Sequence, residues 1–197
     1  MNDFSEPQEV ATLLQSVRCR WGVAGGWAID LFLGRVTREH QDIEIAILRE
    51  DQLILQEHLA SHGWSFDWVH GEKLCPWPIG ESLQWPSHEI WCRSQGPVQS
   101  LEILLNERQG DAFVFRRDSR IVAPLDHTFI ASSRGIPIVA PEIVLLYKAN
   151  RPDASKERTD FSSALNSLSP ERLRWLITSL TLVDPGHVWL ADLRNHA

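Results

Sequence analysis

Apolar residues follow two different spacings in the first part of the chain, and the spacing changes at a pair of glycines. Val10, Leu13 and Val17 recur with the helical period, which predicts an amphipathic first helix. An apolar strand follows and stops at Gly25-Gly26, where the backbone can turn sharply and approach a neighbour closely. The predicted elements are a helix over residues 7–18, a strand over 21–24, and a helix over 27–33 that closes at Gly34.

Strict alternation of apolar and polar positions begins at Asp42. Ile43, Ile45 and Ile47 share one face of the predicted strand and point into a core, while Asp42 and Glu44 share the other. Farther along, apolar residues at helical spacing predict a helix over residues 51–61, and further apolar runs predict strands over 88–92, 98–105 and 112–116.

The pattern becomes helical near the C-terminus. Pro141 suits a first helical position, and apolar residues then predict helices through residues 143–147 and 173–182. Because strands dominate before residue 135 and helices after it, we predict an α+β chain with an N-terminal domain at 1–135 and a C-terminal helical region at 136–197. No internal repeat or flexible linker separates the two, so we expect them to pack together.

Composition narrows the classes of function. The net charge of −7 disfavours a duplex-binding surface, which needs clustered Lys and Arg, so we do not expect a nucleic-acid partner. No apolar run is long enough to cross a bilayer, and the acidic, polar start lacks the features of a signal peptide. Three widely separated cysteines suggest neither a disulfide framework nor a zinc ribbon. We therefore expect a cytoplasmic protein without a membrane partner.

The glycine pair and the Asp42–Glu44 strand carry the candidate chemistry. Two carboxylates at alternate strand positions lie about 6.6 Å apart on one face and can ligate one or two Mg²⁺ ions. Backbone N–H groups of Gly25 and Gly26 can hold phosphates where the next helix begins. Taken alone, the same residues also fit a plain tight turn and a solvent-facing strand. The turn, helix and acidic strand together favour metal-dependent nucleotidyl transfer.

The stretch GVAGGWAIDLFLGRVTREHQDIEIAI, residues 22–47, resembles the polymerase β-like nucleotidyltransferase superfamily. Within it, GGWAID and GRVTR with the following DIE are similar to the aminoglycoside 2″-adenylyltransferases and the lincosamide nucleotidyltransferases. A weaker block, APEIVLLYKANRPDASKERTDF at residues 140–161, is similar to a segment of the same relatives, and the two blocks cover about a quarter of the chain. The resemblance implies a mixed-sheet nucleotidyltransferase domain with a C-terminal helical part that completes the acceptor cleft.

The resemblance also implies roles for the acidic residues. Asp42 and Glu44 would hold Mg²⁺, although the family more often has aspartate at the second position. A third carboxylate comes from a neighbouring strand in such enzymes, and Glu102 matches it as metal ligand and candidate general base. Glu107 and Asp111 remain alternatives for that third position.

Basic residues in both blocks match the family pattern. Arg38 and His40 lie just before the acidic strand and are candidates for phosphate contacts, and Lys148 is a candidate for nucleotide binding. Each also fits a surface charge. Lys156 and Asp160 have the spacing of an exposed helical ion pair, so we expect them to be structural.

The sequence therefore predicts an enzyme that transfers AMP from Mg-ATP to a hydroxyl of a small molecule, with an aminoglycoside or a lincosamide as the implied acceptor. Two other interpretations stay open. The acceptor can be a protein or a tRNA, as in toxin-like members of the superfamily. Alternatively, the domain binds nucleotide without turnover, an interpretation that the two glutamates at positions usually held by aspartate keep open.

Overall fold

The computed structural model describes residues 3–71 and 73–197, and these form a mixed sheet with helices packed against it. The helices are α1 Ser5–Leu13, α2 Gly25–Leu33, α3 Gln52–Ser61, α4 Leu125–Thr128, α5 Pro141–Lys148, α6 Ser155–Leu165, α7 Pro170–Val183 and α8 Trp189–His196, with a short 3₁₀ turn at Arg49–Asp51. The strands are β1 Trp21–Val23, β2 Glu44–Leu48, β3 Ser65–His70, β4 Lys73–Pro76, β5 Glu89–Arg93, β6 Ser100–Gln109, β7 Ala112–Val114, β8 Val122–Pro124, β9 Phe129–Ala131 and β10 Pro137–Val139.

The sheet brings strands from distant parts of the chain side by side. Its order is β4-β3-β5-β6-β2-β1-β10-β9. Off this order, β7 pairs with the C-terminal part of β6 and with β8. The β2–β6 and β1–β10 pairs are parallel, whereas the other pairs are antiparallel. The α+β class and mixed sheet predicted from the sequence are confirmed.

Alternation along β2 and β6 decides which residues enter the core. Ile45 and Ile47 are fully buried, and Leu101, Ile103 and Leu105 are almost so. Glu44 and Glu102 lie at the intervening positions and face away from that core layer. Burial of the isoleucines and leucines thus orients the two carboxylates toward the opposite face.

The helices cover the sheet beside the glycine turn. Helix α2 is buried along most of its length and packs against α5 and α6. Strand β10, at Pro137–Val139, pairs with β1 immediately before α5 begins at Pro141. The division of the chain near residue 135 remains a prediction.

Element boundaries differ from the predictions at several places. The strand predicted at 98–105 runs from Ser100 to Gln109, and the strand predicted at 112–116 ends at Val114. Helix α1 ends at Leu13, and tight turns follow it, in which the Gln15 N–H donates to the Thr12 carbonyl and the Val17 N–H to the Leu14 carbonyl. Asp42 precedes the first residue of β2 rather than lying within the strand. The short elements β8, β9, β10 and α4 were missed, as were α6 and α8. None of the helices in the described ranges is both long and apolar enough to cross a membrane.

Candidate active site

A cavity of about 780 Å³ opens where the start of α2, the first residues of β2, the middle of β6, and helices α5 and α6 meet. All eight residues proposed from the sequence line it: Gly25, Gly26, Arg38, His40, Asp42, Glu44, Glu102 and Lys148. The fold therefore brings them together, although their individual roles remain predictions.

Glu44 and Glu102 are neighbours across the parallel β2–β6 pair. Their Cα atoms are paired in register, and the Glu102 N–H donates to the Ile43 carbonyl at 2.9 Å. Burial raises the pKa of Glu102 to about 7, and the nearby charges of Glu44, Glu89 and Asp42 add to the rise. Burial likewise raises the pKa of Glu44. The two side chains form a partly desolvated pair of like charges.

This acidic pair suits a divalent cation in its chemistry. Carboxylate oxygens are the ligands that Mg²⁺ prefers, and a cation between Glu44 and Glu102 would offset both the cost of burying these charges and the repulsion that Glu102 experiences from Glu44. Among residues 3–71 and 73–197, however, no three acidic, histidine or cysteine side chains converge as a preformed metal cluster. Asp42 lies in the exposed segment before β2. The residues fit Mg²⁺ in donor type, and Asp42 would have to approach the pair.

The alternatives to Glu102 lie elsewhere. Glu107, farther along β6, accepts a hydrogen bond from Arg49 Nε at 2.6 Å, and Asp111 lies in the turn between β6 and β7. Neither lines the cavity. Glu89 does line it and was missed by the sequence analysis. Its position at the edge of a predicted strand, among apolar residues, is the signal that would have marked it.

The glycine turn is in close contact with the acidic pair. Gly25 has φ +57° and begins α2, so its conformation is one that other residues rarely adopt. A Cβ atom at Gly25 would overlap the Glu44 carboxylate, and one at Gly26 would overlap the Arg38 guanidinium and approach the His40 ring. Both glycines are therefore required by close packing at the cavity wall.

Arg38 and Lys148 converge on one buried carboxylate. Arg38 contacts Asp160 through Nε at 2.8 Å and Nη2 at 2.9 Å, and Lys148 Nζ lies 2.8 Å from the same side chain. Asp160 has no exposed surface, so the prediction that it forms an exposed pair with Lys156 is wrong. Lys156 is exposed and lines the cavity. The helical spacing of Lys156 and Asp160 could not show that residues far away in sequence hold Asp160.

His40 is held by a second buried acid. Its Nε2 lies 2.6 Å from Asp30 Oδ2, and its ring stacks on Trp27 with centroids 4.1 Å apart. The other Asp30 oxygen accepts hydrogen bonds from the Thr37 N–H and hydroxyl. Asp30 was not identified from the sequence, although a lone acid within the apolar helix GGWAIDLFL is a visible signal. The ring of His40 is therefore fixed at the cavity wall.

Three arginines on the cavity wall were also missed. Arg116 and Arg117 lie in the turn after β7, and Arg151 follows α5. Arg116 ends the strand predicted at 112–116, which in the structure stops at Val114, and Arg117 follows it. Arg151 lies inside the second block that resembles the family, residues 140–161, where no spacing marks its direction. Only their clustering in three dimensions reveals them.

A family model matches part of the sequence. The family model described as aminoglycoside-2″-adenylyltransferase matches residues 8–74, about a third of the chain. No curated protein sequence matches the chain significantly.

Solved structures share the fold over 82–98% of this chain. The solution structure of the antibiotic-resistance factor ANT(2″)-Ia is 16% identical with a TM-score of 0.61, and the match covers 98% of this chain and 97% of that one. The lincomycin-bound lincosamide antibiotic adenylyltransferase LnuA is 16% identical with a TM-score of 0.59, covering 82% and 95%. ANT(2″)-Ia in complex with adenylyl-2″-tobramycin is 15% identical with a TM-score of 0.52, covering 95% and 94%. The match over residues 8–74 and the fold shared with these structures show that the chain resembles the antibiotic adenylyltransferases.

Proposed function

We propose that this protein transfers AMP from Mg-ATP to a hydroxyl of a small molecule of the aminoglycoside or lincosamide class. The related family and the structures of similar fold are antibiotic adenylyltransferases, including one with lincomycin and one with adenylyl-2″-tobramycin. The observation that carries the proposal is the paired Glu44 and Glu102 beside the Gly25 turn, in a cavity large enough for small ligands.

The metal site would use three carboxylates. Glu44 and Glu102 would hold Mg²⁺ from adjacent strands, and Asp42 would complete the set from the segment before β2. When bound, Mg²⁺ supplies positive charge at the reacting phosphates. Held on two strands of a buried sheet, Glu44 and Glu102 need little rearrangement to present their oxygens.

The reaction joins the acceptor to the α-phosphorus of ATP. A bond forms between the acceptor hydroxyl oxygen and the α-phosphorus, while the bond to the oxygen that bridges to the β-phosphate breaks. Pyrophosphate leaves with that electron pair, and the hydroxyl proton passes to Glu102. Glu102 suits this role because its carboxylate lines the cavity beside Glu44.

The remaining residues would orient the nucleotide. The N–H groups at the start of α2, from Gly25 and Gly26, lie on the cavity wall and can donate to phosphate oxygens. Arg38, His40 and Lys148 add donors, and their positions are fixed by Asp160 and Asp30. Helices α5 and α6 supply the wall opposite the sheet, where the acceptor would be enclosed.

A direct test combines purified protein with Mg²⁺, each nucleoside triphosphate, and a panel of aminoglycosides and lincosamides. Pyrophosphate release and an acceptor mass gain of one AMP are the expected results. Glu44→Gln and Glu102→Gln should each lower the rate at least about a hundredfold, since each removes a charged ligand. Glu107→Gln is the matched control, because Glu107 lies on β6 outside the cavity and should leave the rate near that of the unmodified protein.

Other outcomes would identify the rival functions. Labelled nucleotide that appears in a protein or RNA band of a cell lysate, with no modified drug, would replace the small-molecule acceptor by a macromolecule. Nucleotide binding without pyrophosphate release under any of these conditions would indicate a non-catalytic domain. Full activity in Glu44→Gln would show that the metal assignment is wrong.

A further inference from the structure

Apart from the exposed Lys156 of α6, the lysine and arginine side chains of the cavity fall into two groups. Arg38 and Lys148 share the buried carboxylate of Asp160, which neutralises part of their charge. Arg116, Arg117 and Arg151 also line the cavity, but within the described parts of the chain no carboxylate lies within 4.0 Å of any of them. The second group is therefore the larger reserve of uncompensated positive charge at the site.

Two of these arginines are held in place by an aromatic ring rather than by an acid. The guanidinium carbons of Arg116 and Arg117 lie 5.6 and 5.3 Å from the centre of the Tyr147 ring. Arg117 also donates from Nη1 to the Tyr147 carbonyl at 2.9 Å. A guanidinium held over an aromatic ring has N–H donors that the ring does not use, and these donors can bind another partner.

The like charges of the cluster oppose one another. The pKa of Arg117 is lowered from its ordinary value by partial burial and by the nearby charges of Arg116 and Arg151. Arg117 therefore experiences repulsion from both of the other arginines. A bound anion would relieve it, and the planar guanidinium matches the oxygens of a phosphate in two parallel hydrogen bonds.

We propose that Arg116, Arg117 and Arg151 form an oxyanion site that holds the phosphate tail of the nucleotide. The inference rests on the proposed function, because that function guarantees a phosphate tail in this cavity. Charge complementarity favours the tail over the acceptor: an aminoglycoside is itself cationic and a lincosamide carries no phosphate. Arg38 and Lys148, shared with Asp160, would contribute less of the charge that the tail requires.

Inorganic tripolyphosphate is the probe that tests this site, because its binding requires neither an acceptor nor turnover. Its affinity would be measured by calorimetry for the unmodified protein and for Arg116→Gln, Arg117→Gln and Arg151→Gln. Each substitution should weaken binding by roughly tenfold or more, the loss expected for one charge-assisted contact. The binding of ATP should weaken by a similar factor in each variant. The binding of AMP should weaken less, since AMP lacks the β- and γ-phosphates.

Arg120→Gln is the matched control. Arg120 lies close by in the chain but is paired with Asp118 and does not line the cavity. The Arg120→Gln variant should bind tripolyphosphate with the same affinity as the unmodified protein. Arg117→Lys should give an intermediate loss, because it keeps the charge and removes the stacked, two-point donor. If Arg117→Gln folds poorly by circular dichroism, the exposed Arg151 carries the test.

The possible results separate this inference from the proposed function. Unchanged affinity in the arginine variants, or no binding of tripolyphosphate by the unmodified protein, would overturn the inference. If transfer proceeds while the arginine variants bind normally, the inference alone fails. If the cluster binds tripolyphosphate and no acceptor is ever modified, the oxyanion site stands and the proposed transfer fails.

Discussion

Arg38 and Asp160 form a two-point ion pair across 122 residues of sequence, with N···O distances of 2.8 and 2.9 Å. Arg38 belongs to the loop that leads into β2, and Asp160 belongs to α6. The pair therefore fastens the segment that carries Asp42 to the C-terminal helices. Lys148 on α5 joins the same carboxylate, so three separate segments meet at one buried charge.

Replacing Asp160 by asparagine should destabilise the fold strongly. The substitution leaves the partly buried Arg38 and Lys148 without a counter-charge, and removal of one member of a buried ion pair typically costs about 3–5 kcal/mol. Urea unfolding followed by circular dichroism measures the free energy. The exposed Asp153→Asn is the control and should change stability by less than about 0.5 kcal/mol. If Asp160→Asn lowered the free energy of unfolding no more than the control does, the ion pair would not stabilise the fold as described.

Acid should reveal the same ion pair. Burial alone would raise the pKa of Asp160, but the bonds and charges of Arg38 and Lys148 outweigh it, so the pKa lies below its ordinary value of 3.8. The unfolded chain therefore binds this proton more readily than the folded protein does. The stability that Asp160 contributes is present above pH 3.8 and is lost as the pH falls through the lower, folded-state pKa. Urea midpoints measured between neutral pH and pH 3 should show the gap between the unmodified protein and Asp160→Asn narrowing on acidification; a constant gap would argue against it.

Gly25→Ala and Gly135→Ala form a matched comparison. Both glycines have positive φ, at 57° and 75°, so either alanine should cost about 1–2 kcal/mol in backbone strain. Only at Gly25 does the new Cβ overlap a side chain, the Glu44 carboxylate, because Gly135 has open space around it. Displacement of Glu44 should lower nucleotidyl transfer about a hundredfold in Gly25→Ala, while Gly135→Ala keeps its rate. Equal activity in the two variants would show that the contact with Glu44 does not matter.

Magnesium should stabilise the protein in the absence of nucleotide. An ion that binds the folded state alone adds about 2.7 kcal/mol at a concentration one hundred times its dissociation constant. Thermal unfolding with and without Mg²⁺ measures the shift in Tm. The shift should shrink or vanish in Glu44→Gln and Glu102→Gln and persist in Glu107→Gln. A full shift in the first two variants would place the ion elsewhere.

Several features of the site follow from the sequence because they depend on local pattern. The glycine pair at the start of a helix and the isoleucines of β2 are visible as spacing alone, and they orient Glu44 correctly. The alternation in β6 predicts that Glu102 faces away from Leu101 and Ile103, as it does. The prediction that Glu102, and not Glu107, lies beside Glu44 also needed the family resemblance. Spacing within one strand does not set the register between two strands.

The features that were missed depend on contacts between distant segments. Asp160 has helical spacing with Lys156, but its partners are Arg38 and Lys148, which only the tertiary fold brings to it. Arg116 and Arg117 lie in a turn, where no period marks a side chain's direction. Strands β8, β9 and β10 have three residues each, too few for alternation to be recognised.

The register of β6 against β2 links folding of the sheet to the working of the site. A slip of one residue would turn Glu102 inward and present Leu101 or Ile103 to the cavity. The apolar side chains that hold the sheet together are therefore also the ones that keep the acids aligned. Natural selection for a stable core and selection for a working enzyme act on the same few positions. Substitutions that loosen this strand should consequently reduce function before the protein shows any loss of its folded state.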